Sequence, residues 1–197
     1  MVKLLITRHG QTKHNVDGTI QGNEHGDINE KGFQQISKLI KRLKKEKIDL
    51  IISSNVPRCK ITTEGILKEI KAPVKYTGLI REKENGDWVG KNHKEIDWSV
   101  LGDDFENRKA PNGESLTDVR ERGRKFFKEF LEEYKDKNIL VVSHGAFLKV
   151  FIGDLLRMSL HDSIFKLKID HCSLTFVDIN DKEDYNVRAI NSTDFLE

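Results

Sequence analysis

The chain has 197 residues, and its 34 Lys and Arg nearly balance its 32 Asp and Glu, giving a net charge of +2. This balance gives no sign of a polyanion-binding surface, so nucleic acid is not expected as a partner. A hydrophobic fraction of 37% with 14 glycines is near the norm for a globular protein, which at this length can bury a core without disulfides.

The sequence carries no signal for export or for membrane insertion. The apolar run at residues 2–6 is broken by Lys3 and is too short for a signal peptide. The run at 146–156 is interrupted by Lys149 and Asp154, so it could not span a bilayer as a helix. The two cysteines lie far apart and form no metal-type cluster, and a cytoplasmic location is the simplest expectation.

Short apolar runs predict the strands. The runs at 3–7, 50–53 and 139–143 are continuous, which is typical of strands buried on both faces. A further strand is predicted at 74–80. Segments at 164–169, 173–179 and 185–190 are predicted to be β structure, the last two as a hairpin across 180–184.

Helical patterns lie between these runs. The first predicted helix has Asn29 as N-cap and an apolar stripe of Phe33, Ile36, Leu39, Ile40 and Leu43. Others are predicted at 58–70, at 146–157, and at 115–134 with Ser115 as N-cap and an inner stripe of Phe126, Phe127, Phe130, Leu131 and Tyr134. This alternation predicts an α/β fold with a layered, mostly parallel sheet and an antiparallel edge.

Residues 83–112 break the pattern, being polar and nearly aperiodic. The segment contains three large aromatic residues, Trp88, Trp98 and Phe105. Long irregular segments of this kind are often lids or binding loops. We predict a single domain over residues 1–197 with a lid at 83–112, whose aromatic side chains either cover an apolar part of a ligand or only pack the lid.

Charged and polar residues follow three of the predicted strands. The first strand leads into Arg8-His9-Gly10, the second into a loop that ends at Arg58, and the third into His144-Gly145. Because ligands of open α/β sheets bind at the carboxyl ends of the strands, we expect these residues to meet at one site.

These residue types indicate phosphoryl chemistry. The guanidinium groups of Arg8 and Arg58 match phosphate oxygens, which predicts a phosphate ester as the ligand. A neutral imidazole can attack phosphorus and form a covalent intermediate. The leaving oxygen then needs a proton, and Glu82, at the entry to the lid, is the best candidate for the acid.

The ordered motifs of the chain resemble those of the histidine phosphatase superfamily, in its phosphoglycerate-mutase-like branch. The most specific motif is Arg8-His9-Gly10-Gln11-Thr12 with Asn15. The others follow in the family's order over essentially the whole chain: Gln21-Gly22, Ser53-Ser54 with Arg58 and Thr63, Arg81-Glu82 with Gly86, Trp88 and Gly90, Gly113-Glu114-Ser115, and Ser143-His144-Gly145.

The resemblance implies a three-layer sandwich with helices on both faces of the sheet. It implies that His9 becomes phosphohistidine and that Glu82 donates a proton and then activates water. It also implies a phosphate pocket and its rim, formed by Arg8, Arg58, His144, Asn15, Gln21, Gly22 and a backbone contact from Gly145. Neither a cofactor nor a metal ion is implied, and the substrate would be a small phosphorylated metabolite.

The sequence of the lid bears on whether the phosphoryl group is transferred to water or to another position of the substrate. The Trp88-Val89-Gly90 corner is similar to that of the family's phosphatases, and the lid lacks the paired arginines of the sugar-acid mutases, offering only Arg108. The sequence therefore favours a broad-specificity phosphoric monoester hydrolase. The alternative is a cofactor-dependent mutase acting on 2- and 3-phosphoglycerate. Thr19 and residues 26–29 depart from the family's pattern on the substrate side.

Other assignments stay open at this point. Glu114 either contacts the pocket or only favours the helix after it. The remaining histidines share no metal-ligand spacing, which favours surface or core roles; they are His14, His25, His93, His161 and His171. An acyl hydrolase using Ser143 is a weaker alternative, because Val141 stands where a G-x-S-x-G motif needs its first glycine. The sequence leaves a homodimer open.

Overall fold

A single sheet of six strands is present in the computed structural model, which describes residues 1–23, 26–181 and 184–197. The strands are β1 (Val2–Arg8), β2 (Leu50–Ser54), β3 (Val74–Thr77), β4 (Asn138–Ser143), β5 (Leu174–Asp181) and β6 (Asp184–Ser192). Their order is β3-β2-β4-β1-β5-β6. The first four run parallel, whereas β5 is antiparallel to both β1 and β6.

The predicted hairpin is confirmed for these last two strands, although its turn falls partly on residues 182 and 183, outside the described residues. Helices flank the sheet: α1 (Lys13–Asp17), α2 (Glu30–Leu43), α3 (Pro57–Leu67), α4 (Leu116–Glu133), α5 (Gly145–Leu155) and α6 (Leu160–Lys166). Both predicted N-caps are present, because Asn29 accepts from the Gly32 amide and Ser115 from the Asp118 amide. No helix among the described residues is long and apolar enough to cross a membrane.

Two cores form because successive side chains of each buried strand point to opposite faces of the sheet. In β1, Leu5 packs on one face, whereas Leu4 and Ile6 pack on the other. Helices α2 and α3 cover the first face with Ile36, Leu39, Leu43, Cys59 and Ile66. Helices α4 and α5 cover the second with Phe126, Phe130, Phe147 and Phe151. The predicted three-layer sandwich is therefore confirmed.

The prediction of β structure at 164–169 is wrong, because residues 160–166 form α6. Ser159 caps this helix by accepting from the Asp162 amide, and Lys166 pairs with Asp162 one turn earlier at 2.9 Å. These local contacts stabilise a helix and outweigh the β preference of Ile164. The stripe of α2 is also narrower than predicted, since Phe33 is 55% exposed. The side chain of Leu131, assigned to the stripe of α4, lies outside the described residues.

Candidate active site

The exits of three adjacent strands meet because β4 lies between β1 and β2. A cavity of about 420 Å³ opens there. Its wall includes eight of the nine predicted site residues: Arg8, His9, Asn15, Gln21, Gly22, Arg58, Glu82 and Gly145. The ninth, His144, lies behind the described wall, with its ring centroid 5.3 Å from that of His9.

His9 is buried and has its two ring nitrogens in different environments. Nδ1 is 2.7 Å from the Gly10 carbonyl oxygen, and since a carbonyl only accepts, Nδ1 carries the proton. Nε2 therefore keeps its lone pair and accepts from Arg58 Nε at 3.2 Å. Burial, together with the positive charge of Arg58, lowers the pKa of His9 well below its usual range. The imidazole is neutral, and its unprotonated nitrogen faces a guanidinium group.

The two arginines are buried beside this nitrogen. Arg58 is 1% exposed and donates from Nη2 to the Gly22 carbonyl at 2.6 Å. Arg8 donates from Nη1 to the Ile169 carbonyl at 2.9 Å, whereas its buried Nε has no acceptor among the described residues. Burial lowers the pKa of both guanidinium groups, and the Glu82 charge opposes this effect. A buried donor without an acceptor in a cavity wall indicates the place of an anion.

Gly145 allows Arg8 to lie against the first turn of α5. A Cβ at this position would be 3.1 Å from Arg8 Cζ and 3.2 Å from its Nε, closer than side chains normally pack. The residue therefore supplies space for the guanidinium group as well as a helix N-terminus beside it.

Glu82 is held by the same helix end. One of its carboxylate oxygens accepts from the backbone amides of Ala146 and Phe147, both at 3.1 Å, and from the Lys83 amide at 2.9 Å. These bonds place an acidic side chain in the wall of the cavity that also contains His9.

His144 is the N-cap residue of α5 and is fully buried. Its Nε2 lies 2.8 Å from Ser54 Oγ and 3.4 Å from Cys59 Sγ. Burial and the charge of Arg58 lower the pKa of His144 well below its usual range. His144 is thus a neutral ring packed against the imidazole of His9.

The predicted rim residues are connected through Thr12. Its hydroxyl oxygen lies 2.8 Å from Asn15 Oδ1 and 3.0 Å from Gln21 Oε1, so its one proton is shared between two acceptors and the oxygen atoms of both amides face Thr12. Gly22 follows Gln21 in the left-handed region with a φ of 52° and directs its carbonyl to Arg58.

The lid aromatics both pack together and line the cavity. Trp88 is buried and its ring meets that of Trp98 at 5.1 Å, edge to face. His93 stacks on Trp98, with 6.2 Å between ring centroids. Phe105 completes this part of the wall, with Arg108 above its ring at 5.0 Å. The packing of these aromatics within the lid is therefore observed, whereas the covering of an apolar part of a ligand stays a prediction.

The sequence did not assign Lys83, Lys149 or His171 to this site. Lys83 and Lys149 also line the cavity, and Lys149 could have been found, because it is four residues after Gly145 and shares its helix face. His171 donates from Nδ1 to the His9 carbonyl at 3.0 Å, with 5.3 Å between the rings. Burial, with the charge of Arg8, lowers the pKa of His171 to about 3. His25, by contrast, lies outside the described residues.

Glu114 does not line the cavity in the described structure; it forms a two-bond ion pair with Arg122.

No cluster of three or more His, Cys, Asp or Glu suited to a metal ion occurs among residues 1–23, 26–181 and 184–197. Fold and site together define an α/β protein that holds two buried arginines and a neutral, buried histidine at the exits of its central strands.

Comparison with known proteins identifies the family. The model of the histidine phosphatase superfamily (branch 1) matches residues 4–193. The adenosylcobalamin/alpha-ribazole phosphatase of Escherichia coli (strain K12) is 27% identical over 97% of this chain and 96% of its own length. A broad-specificity phosphatase of Saccharomyces cerevisiae is 31% identical over 100% and 88%, respectively. Bacillus stearothermophilus YhfR, a solved structure, is 26% identical, with a TM-score of 0.91 and full coverage of both chains.

The chain belongs to the histidine phosphatase superfamily. Further relatives include proteins named as phosphatases and as phosphoglycerate mutases. The sequence-based predictions of family, fold and phosphatase class are confirmed.

Proposed function

We propose that this chain hydrolyses small phosphate monoesters without a metal ion, through a phosphohistidine at His9. The observation that carries the proposal is the pairing of a neutral, buried imidazole nitrogen with Arg58 Nε, beside an Arg8 Nε that has no acceptor in the described structure. A phosphoryl group placed there would meet a nucleophile and two positively charged groups at once.

In the first half-reaction, Nε2 of His9 attacks phosphorus while the ester P–O bond breaks. Arg8 and Arg58 hold the phosphoryl oxygens, and the Nδ1–H bond to the Gly10 carbonyl stabilises the charge that forms on the imidazole. The electron pair of the broken bond goes to the leaving oxygen, and Glu82 supplies its proton.

In the second half-reaction, the Glu82 carboxylate takes a proton from water as the water oxygen attacks phosphorus. The N–P bond breaks and its electron pair returns to Nε2. Phosphate and the original enzyme result. In this scheme the amides of Asn15 and Gln21 and the backbone of Gly22 and Gly145 contact the substrate at the rim.

We further propose that residues 83–112 act as a lid over the leaving group within a single domain, and that the substrate is a small phosphorylated metabolite. The aromatic wall formed by Trp88, Trp98 and Phe105 supports this role. The two buried free thiols, Cys59 and Cys172, suit a reducing compartment such as the cytoplasm.

The roles of His9 and Glu82 can be tested with two substrates that differ in leaving group. We expect His9→Ala to lower turnover by at least about 1,000-fold and to abolish an acid-labile phosphoenzyme that wild type forms. We expect Glu82→Gln to lower kcat/KM for an alkyl phosphate by about 100-fold or more, but for p-nitrophenyl phosphate by less than about 10-fold, because nitrophenolate leaves without a proton.

Equal slowing of the two substrates in Glu82→Gln would reject Glu82 as the acid. Loss of activity with EDTA would reject metal independence. Conversion of 3-phosphoglycerate to 2-phosphoglycerate without release of phosphate would favour the mutase.

A further inference from the structure

The segment that carries Glu82 lies outside the sheet. The pairing of β3 with β2 ends at Thr77, five residues before Glu82. Beyond it, the chain turns through hydrogen bonds from the Leu79 amide to the Thr77 hydroxyl and from the Arg81 amide to the Gly78 carbonyl. A loop segment of this kind needs other partners if it is to hold a side chain in one place.

Arg122 of α4 supplies most of these partners. Its Nη1 donates to the carbonyls of Leu79 at 2.8 Å and Arg81 at 3.0 Å, and Nη2 donates to the carbonyl of Glu82 at 3.5 Å. The remaining donors bind the carboxylate of Glu114, Nε at 3.0 Å and Nη2 at 2.9 Å. Each of the five N–H donors of the guanidinium group therefore has an acceptor.

Glu114 completes the arrangement from the other end of the lid. Its carboxylate accepts from the Glu84 amide at 3.0 Å, and its own backbone amide donates to the Glu84 carbonyl at 2.8 Å. Residues 84 and 114 are thus joined at the base of the lid. The Arg122–Glu114 pair is mostly shielded from water, with side chains 16% and 26% exposed.

The same guanidinium group also contacts the helix that binds the Glu82 carboxylate. Arg122 Cζ lies 5.3 Å from the ring centroid of Phe147, whose amide donates to Glu82. Arg122 therefore contacts both the backbone of the loop that carries Glu82 and the side chain of Phe147, whose amide binds the Glu82 carboxylate.

We propose that Arg122 and Glu114 are positioning residues for the proton transfer, fixing where the Glu82 carboxyl stands relative to the leaving oxygen. This inference rests on the proposed role of Glu82. It assigns no contact with substrate to either residue. A misplacement of about 1 Å can lower a rate about 100-fold. If the loop that carries Glu82 becomes less well held, we therefore expect the proton transfer from Glu82 to slow more than the other steps.

The test uses Arg122→Lys, which keeps the positive charge but replaces a planar fork by a single ammonium group, and Glu114→Gln, which keeps the size. We expect each variant to lower kcat/KM for an alkyl phosphate by about 10- to 100-fold and for p-nitrophenyl phosphate by less than about 3-fold. Activity on the nitrophenyl ester also reports that the variant is folded.

Arg124→Lys is the matched control, because Arg124 lies on the same helix and makes a two-bond ion pair with Asp154, away from the loop. We expect it to leave both substrates unchanged. Equal losses on the two substrates in Arg122→Lys and Glu114→Gln would overturn the inference, since a general structural defect would slow them alike.

A double-mutant cycle with Glu82→Gln separates this inference from the proposed function. If Arg122 acts through Glu82, Arg122→Lys should cause no more than about a 3-fold further loss on the alkyl ester in the Glu82→Gln background. A full additional loss there would overturn the positioning role while leaving Glu82 as the acid. A Glu82→Gln variant that slows both esters equally would instead reject the acid itself.

Discussion

At the scale of single residues, the site depends on keeping histidines neutral. His9 lies between two other imidazoles, His144 and His171, and near two arginines. Burial and these positive charges disfavour a further proton on the ring, and the Gly10 carbonyl selects the tautomer. The lone pair on Nε2 is thus present before substrate arrives.

This charge state can be measured by ¹⁵N NMR of the free enzyme. We expect His9 to keep a protonated Nδ1 and an unprotonated Nε2 as the pH falls from 8 through about 6.5, where an ordinary histidine takes up its second ring proton. The low pKa of His9 is the reason. A His9 signal that titrates near pH 6.5, or a proton on Nε2 in place of Nδ1, would contradict it.

The sequence predicted the residues that follow apolar strands, since a strand exit is a local signal. It could not assign His171 or Arg122. His171 reaches the His9 carbonyl from 162 residues away, and Arg122 binds carbonyls about 40 residues away. A side chain that acts on a distant backbone leaves no pattern in its own neighbourhood.

At the scale of elements, the base of the lid is a close crossing of two chain segments. Gly86 has a φ of 49°, and a Cβ there would overlap the Pro111 carbonyl oxygen. Gly90 has a φ of 87°, but a Cβ there would meet no described atom within 4 Å. A side chain at either position would strain a left-handed backbone, but only a side chain at Gly86 would also collide with the other chain segment. Substituting each glycine therefore separates these two effects on stability.

We expect Gly86→Ala to lower both the free energy of unfolding, by about 2 to 4 kcal/mol, and kcat/KM, because the base of the lid must move. Gly90→Ala should lower the free energy of unfolding by only about 1 kcal/mol and leave kcat/KM near wild type. Urea unfolding and the phosphatase assay give both quantities. Similar behaviour of the two variants would show that the crossing does not hold the lid.

Elements with strong local signals were predicted well, including α2 and α4 with their N-caps. The predicted strand at 74–80 proved shorter, because side chains of Arg122 and Ser143 replace strand partners beyond Thr77. These partners lie far along the chain, so the sequence of residues 74–80 alone does not predict where the strand ends.

At the scale of the whole molecule, burying neutral histidines makes stability depend on pH. The pKa of His9, His144 and His171 is lower in the folded chain than the value of about 6.5 expected when unfolded. Between these values the unfolded chain binds more protons, so stability is lost as the pH falls below about 6.5. Each histidine contributes about 1.4 kcal/mol per pH unit to this slope.

His171→Asn tests this dependence, because an amide nitrogen can replace Nδ1 as donor to the His9 carbonyl but does not titrate. For His171 the window runs from about 6.5 down to its pKa of about 3. We expect the slope of the free energy of unfolding between pH 6 and 5 to fall by about 1 kcal/mol per pH unit in this variant. An unchanged slope in urea titrations would contradict a neutral, buried His171.

The place of β4 between β1 and β2 also bears on how the protein is made. Among the described strands, β1 pairs only with β4 and β5, which both belong to the later part of the chain. On the ribosome, β2 and β3 can pair early, whereas β1, which leads into His9, waits until residue 138 and those after it have emerged. Long-range pairing of this kind slows folding. A nascent chain that is released early therefore carries His9 without the strands that bring Arg58 and His144 beside it.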